Sequence, residues 1–80
     1  MVTPQAAEKL ARDALQRYVN ACGCNTPEDS ANVMMKLVSM CGLAMCAVVG
    51  QPEAVDRLQG TTDYIAQTQS GVQWRTERAN

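Results

Sequence analysis

The sequence predicts an all-α protein built from three helices. All three prolines, Pro4, Pro27 and Pro52, stand where a helix can begin. Proline costs no hydrogen bond at a first helical position, because that N–H has no partner inside the helix. Apolar residues recur at helical spacing after each proline, and the middle segment is apolar on every side. We predict helices at about 4–21, 27–49 and 52–68.

The first predicted helix combines an apolar stripe with charged pairs on its other face. Glu8 and Arg12, like Asp13 and Arg17, are acid-before-base pairs four residues apart, a spacing that stabilises a helix. Gly23 follows as a residue suited to the left-handed conformation past a helix end. The stripe consists of Ala7, Leu10, Ala11, Ala14, Tyr18 and Ala21.

Threonines before the first two prolines predict helix caps. Thr3 and Thr26 can each accept a hydrogen bond from an unpaired amide of the first turn. Glu28 and Asp29 add negative charge where the second helix dipole is positive. The link at 23–25 is short, which favours an antiparallel hairpin of helices one and two.

The third predicted helix is less regular than the other two. Glu53 and Arg57 form another supporting pair four residues apart. Gly60 is unfavourable inside a helix, so the sequence leaves open a break there, with a restart at Thr61 or Thr62. The apolar side of this helix is Val55, Leu58, Thr62 and Ile65.

Length and charge limit the classes of protein this chain can belong to. Its 80 residues make one domain at most, which we place at 1–68 with a polar tail at 69–80. Seven basic residues against eight acidic ones, without a run of either sign, predict no nucleic-acid partner. The N-terminal residues lack the basic-then-apolar order of a secretory signal, so we expect a cytoplasmic protein with reduced cysteines.

The middle helix is the most informative segment. Between Val33 and Val49 only Lys36 and Ser39 are clearly polar, and a helix that is apolar all round is normally buried all round. Two neighbouring helices cannot cover it, so we expect a homo-oligomer, with a two-fold dimer as the commonest form. The expected interface is Met35, Ser39, Met40, Gly42, Leu43, Cys46, Ala47 and Val49.

Two other ways of covering this helix stay open. In a monomer, the tail at 69–80 would fold over the exposed side with Trp74 as its anchor. In a membrane protein, lipid would cover it. The apolar stretch of 17 residues includes Lys36 and is shorter than the ~20 residues that span a bilayer, so we expect no membrane partner.

The cysteines raise the question of a metal site. Cys22-Gly23-Cys24 resembles the Cys-x-Cys of the bacterioferritin-associated ferredoxins, and the resemblance implies a small helical protein with an iron–sulfur cluster on four cysteines. The second pair departs from that family, because four residues separate Cys41 from Cys46 where the family has two. On a helix these two differ by about 140° and about 7.5 Å, so they do not easily share one ion. We expect no metal and no cofactor.

The remaining residues favour a binding protein over an enzyme. The chain has no histidine to serve as a base for a cysteine nucleophile, and we find no phosphate-binding loop. We expect a homo-oligomer that binds another protein, with Trp74 as the contact residue. In size the chain resembles the small accessory proteins of bacteriophages and mobile elements, which implies an inhibitor of a host or defence protein. The alternatives are a small-molecule or metal binder that uses Cys and Met residues, and a DNA-binding regulator.

Overall fold

The computed structural model describes residues 1–68 and contains three α-helices in that range. Helix α1 runs over Pro4–Cys22, α2 over Pro27–Val49 and α3 over Gln51–Thr68. Residues 1–68 contain no strand, so the predicted all-α class with three helices is confirmed. The predicted bounds differ from the observed ones by a single residue at the end of α1 and at the start of α3.

The predicted caps of α1 and α2 are present. The backbone N–H of Ala6 donates to Oγ1 of Thr3 over 3.1 Å, and Thr3 itself is extended. At the start of α2, the Asp29 N–H donates to Thr26 Oγ1 over 3.0 Å. The Asp29 carboxylate in turn accepts from the Asn25 N–H over 3.1 Å. Side chains therefore satisfy amides that the helices leave unpaired.

Two glycines in the left-handed region end the first two helices. Gly23 has φ 67° and ψ 42°, and its N–H donates to Asn20 O over 3.2 Å. Gly50 has φ 93°, and its N–H donates to Cys46 O over 2.9 Å. The Gly50 carbonyl then accepts from the Ala54 N–H over 3.0 Å, so α3 begins directly after it. Glycine adopts this conformation without the steric cost that a side chain brings.

The charged face of α1 forms ion pairs at i, i+4 spacing. Arg12 binds Glu8 over 2.6 Å, as the sequence predicts. Asp13 binds Lys9 over 3.0 Å, and within residues 1–68 no ion pair joins Asp13 to Arg17, so that predicted pair is wrong. Both observed pairs are exposed, and each contributes only a few tenths of a kcal/mol to the helix.

Helix α3 continues through Gly60 without a break. The alternative of a restart at the threonines that follow is therefore wrong. The Thr62 hydroxyl donates to Leu58 O over 3.1 Å, so it bonds within the helix and does not cap a new one. The predicted pair of Arg57 with Glu53 is present at 2.8 Å.

The chain divides into two units between Met40 and Cys41, within α2. In the first unit, α1 and the beginning of α2 are joined by a hydrogen bond from the Tyr18 hydroxyl to Val33 O, 2.7 Å long. Val19 is buried. The half-buried residues of these two helices include Leu15 and Tyr18 of α1, and Ser30, Val33, Met34 and Leu37 of α2.

The side of α1 that packs differs from its predicted apolar stripe. Leu15, Tyr18 and Val19 are its least exposed residues after the first turn, whereas Leu10 and the alanines of the stripe are exposed. Tyr18 is the member that the stripe and the packed side share. Packing therefore involves the end of α1 that precedes the connection to α2.

In the second unit, the end of α2 and α3 approach each other closely at Gly42. Gly42 is buried, and a Cβ placed on it would lie 3.2 Å from Cδ1 of Leu58. Ala54 near the start of α3 is fully buried. Met45, Cys46 and Leu58 are half-buried. A residue without a side chain lets the two helices meet here.

The described part of the chain has a very small core. Its buried apolar side chains are those of Val19 and Ala54, and none of its large side chains is fully buried. Helix α2 contains a single buried residue, Gly42. The most apolar helix of the protein is therefore mostly exposed in an isolated chain.

Candidate interaction surface

One side of α2 carries an exposed apolar surface, which we call the α2 stripe. It consists of Met35, Ser39, Met40, Leu43 and Ala47, all exposed, within about 140° of the helix circumference. Met35, Met40 and Leu43 are exposed to 60%, 62% and 65%. The stripe therefore alternates large side chains with small ones, as a helix surface that receives another helix does.

Five residues of the predicted interface make up this stripe, and three others lie outside it. Gly42 is buried and Cys46 half-buried, so their surfaces face the interior of the chain. Leu58 of the same chain lies against Gly42, a residue of the expected interface with a second copy. Val49 lies beside them around α2 and is only 38% exposed. These three residues therefore do not belong to the α2 stripe.

A second side of α2 is also apolar and exposed. Val48 is 81% exposed and lies about 140° around the helix from Leu43. Cys41 is also exposed, and it lies on the same side of the helix as Val48. A single neighbouring helix on the stripe would leave this second side in water.

Within residues 1–68, one helix, α2, is long and apolar enough to cross a membrane. Only 6% of its most apolar 18 residues are buried, which distinguishes it from a core helix. A signal sequence has the same length and composition. Glu28 and Asp29 in the first turn and Lys36 in the first half are charged positions that lipid would have to accommodate.

All four cysteines are free, and they differ in exposure. Cys22 and Cys41 are exposed, whereas Cys24 and Cys46 are half-buried. The two cysteines of α2 therefore differ, with Cys41 exposed and Cys46 half-buried. Over the described range, no group of three or more side chains of the metal-binding types could hold a metal ion.

Tyr18 connects α1 to α2 and lies beside two thiols, an arrangement that the sequence analysis did not identify. Its hydroxyl donates to Val33 O. Burial raises the pKa of Tyr18, and the thiols of Cys22 and Cys24 raise it further. The spacing of four residues between Tyr18 and Cys22 was the available signal, since such residues are neighbours on a helix.

A shallow depression on α1 is the remaining concave feature of note. It is lined by Gln5, Glu8, Lys9 and Arg12. The charged groups are engaged in ion pairs along the helix, Arg12 with Glu8 and Lys9 with Asp13. The lining thus offers a ligand no unengaged charge.

Trp74, the predicted contact residue, and the predicted tail at 69–80 lie outside the described residues. Comparison of the chain with protein-family models, with curated proteins and with solved structures finds no match. The argument about function therefore depends on the surface of α2.

Proposed function

We propose that the protein is a small non-enzymatic homodimer in which the α2 stripes of two chains pack together, and that this dimer binds another protein. The observation that supports the proposal most strongly is the exposure of α2. It is the most apolar helix of the chain, yet only Gly42 of it is buried. An apolar surface of this kind typically marks an interaction site.

The gain from covering the stripe is large for a small domain. Met35, Met40 and Leu43 are each about two-thirds exposed, so burying each should contribute about 1 to 2 kcal/mol. A two-fold interface uses the same surface twice, so every such side chain counts in both protomers. Lys36 lies within the width of the stripe, where its long stem can cover apolar surface while its ammonium stays in water.

Within each protomer, the proposal includes an antiparallel hairpin of α1 and α2. The Tyr18–Val33 hydrogen bond supports it, because both residues lie near the short connection between the helices. Such a hairpin would hold α2 in place while leaving the stripe available to the second copy.

The protein partner is proposed for the second side of α2. Val48 is a highly exposed large apolar residue on this second side, and it stays exposed when the stripe is covered. Exposed apolar residues beside the small thiol side chain of Cys41 would suit the apolar face of a partner helix.

Membrane insertion of α2 is the second candidate, and the length of the helix favours it. Its 23 residues span about 34 Å, slightly more than the ~30 Å of a bilayer core. Lys36 opposes it, because the uncharged stretch after this residue, at 37–49, spans only about 20 Å. A lysine at the bilayer centre costs about 2.5 to 3.5 kcal/mol.

Two matched substitutions on α2 separate the candidates. Leu43→Glu places a charge in the stripe, whereas Val48→Glu places the same charge on an exposed apolar residue of the same helix, about 140° away. Sedimentation equilibrium should show a dimer for the unmodified chain and for Val48→Glu. It should show dimerisation at least about tenfold weaker for Leu43→Glu, a loss of about 1.4 kcal/mol or more from burying the charge.

Flotation of the same three proteins with phospholipid vesicles tests the membrane candidate. Lipid surrounds an inserted helix on all sides, so both substitutions should weaken insertion, with the larger effect at Leu43 because Val48 lies at the end of α2. If the unmodified chain floats with vesicles and both variants lose this property, the dimer proposal is contradicted. Equal dimerisation of Leu43→Glu and the unmodified chain would also contradict it.

A further inference from the structure

The turn Cys22-Gly23-Cys24 holds two thiols at the end of α1. Cys22 is the last residue of the helix and is exposed, and Cys24 is half-buried. Gly23 between them is in the left-handed conformation, with φ 67° and ψ 42°. A Cβ on Gly23 would meet nothing within 4 Å, so backbone conformation is the reason for a glycine here.

The dihedral angles of Gly23 determine the separation of the two cysteine Cα atoms. These angles are close to the mirror image of right-handed helical values, so the flanking Cα atoms are as far apart as residues i and i+2 of a helix. Helix geometry gives about 5.4 Å for that separation. Disulfides join Cα atoms that are about 4.4 to 6.8 Å apart, so the backbone already has a suitable spacing.

The other two cysteines provide an internal comparison. Cys41 and Cys46 lie five residues apart within the continuous helix α2. Regular helix geometry separates their Cα atoms by about 8.7 Å, beyond the ~7 Å limit for a disulfide without backbone movement. Of these two pairs, the one around Gly23 has the Cα spacing of a disulfide.

Tyr18 lies four residues before Cys22 on α1, so the two side chains are neighbours on the helix surface. Burial raises the pKa of Tyr18, and Cys22 and Cys24 raise it further. The Tyr18 hydroxyl donates to Val33 O and joins α1 to α2. Oxidation of the two thiols would therefore change the surroundings of a residue that links two helices.

We propose that Cys22 and Cys24 form a reversible intrachain disulfide by exchange with a small-molecule disulfide of the glutathione class. The exposed Cys22 thiolate attacks one sulfur of that disulfide, its S–S bond breaks, and one glutathione thiolate leaves. The Cys24 thiolate then attacks the Cys22 sulfur and releases the second. Two protein thiols are oxidised, one disulfide is reduced to two thiols, and these take up the two thiol protons. Disulfides of this kind in a reducing compartment are typically transient and redox-sensing.

The test uses the full chain in buffers of graded reduced and oxidised glutathione. After acid quenching, free thiols are alkylated, and intact mass and peptide mapping identify the bonded cysteines. We expect a Cys22–Cys24 disulfide that forms and disappears as the ratio changes, while Cys41 and Cys46 are alkylated at every ratio. In Cys24→Ser we expect glutathione to stay bound to Cys22, because the resolving thiol is missing.

A variant with Cys41→Ser and Cys46→Ser serves as the control, with helix content followed by circular dichroism. It should oxidise as the unmodified chain does, since it keeps the proposed pair. The proposal is overturned if the folded control forms only glutathione adducts or disulfides between chains. A Cys41–Cys46 disulfide in the unmodified chain would overturn it as well.

Tyr18 supplies a second readout, which is read together with helix content because unfolding would also lower its pKa toward 10.0. Oxidation removes both thiols, so the pKa of Tyr18 should fall in the purified disulfide form, measured by phenolate absorbance in a Tyr64→Phe background. An unchanged midpoint, with helix content retained, would contradict the placement of the two sulfurs beside Tyr18.

Discussion

Two glycines inside helices, Gly42 and Gly60, differ in their surroundings. Leu58 lies 3.2 Å from the position of a Cβ on Gly42, so a large side chain there must displace α3 or distort its own rotamer. We expect Gly42→Leu to lower the free energy of unfolding by about 1 to 3 kcal/mol. Urea denaturation followed by circular dichroism measures the change, and an unchanged midpoint would contradict the close approach of α2 and α3.

Gly60 is expected to respond in the opposite direction. It lies in the middle of α3, and a Cβ there would meet no atom within 4 Å. Gly60→Ala should therefore raise the free energy of unfolding by about 1 kcal/mol, because alanine favours the helix without a steric cost. The same urea denaturation tests it. Destabilisation would mean that α3 is not a regular helix at this residue.

Tyr18 should make stability depend on pH in the alkaline range. Its folded pKa lies above the ordinary value of 10.0, so the folded state retains the phenol proton where the unfolded chain has lost it. This contribution is complete below pH 10 and is lost as the pH rises through the folded pKa. Stability should fall more steeply above pH 10 in the unmodified chain than in Tyr18→Phe, and equal slopes would contradict this assignment.

At the scale of the helix, the caps explain why the ends of the elements could be predicted. Thr26 Oγ1 binds the Asp29 N–H at the start of α2, and Thr26→Ala removes that acceptor. We expect a loss of about 1 kcal/mol in the free energy of unfolding, with Thr26→Ser close to the unmodified chain. Equal stability of the alanine and serine variants would show that the cap does not stabilise α2.

The packed side of α1 could not be predicted in the same way. Its apolar stripe contains several alanines, which bury little area each, and periodicity gives them the same weight as larger residues. The structure instead places Leu15 and Val19 inward, at the end of α1 near the connection. Caps depend on neighbouring residues in the chain, whereas the choice of a packed side depends on where another helix lies.

For the whole molecule, the sequence predicted an uncovered apolar helix but not all of its contacts. Met40 and Leu43 are exposed, as expected for a helix that its two neighbours cannot cover. Gly42 was predicted as part of an interface with a second copy, whereas Leu58 of the same chain lies against it. Sequence patterns show which surface must be covered, and the covering element depends on tertiary structure.

Light scattering with multi-angle detection on the purified chain, over a range of concentrations and without detergent, shows whether a second copy covers the α2 stripe. If a second copy covers the α2 stripe, the particle should have twice the 8.7 kDa mass of one chain and should dissociate on dilution or in Leu43→Glu. A particle of 8.7 kDa at the highest concentration would contradict the account.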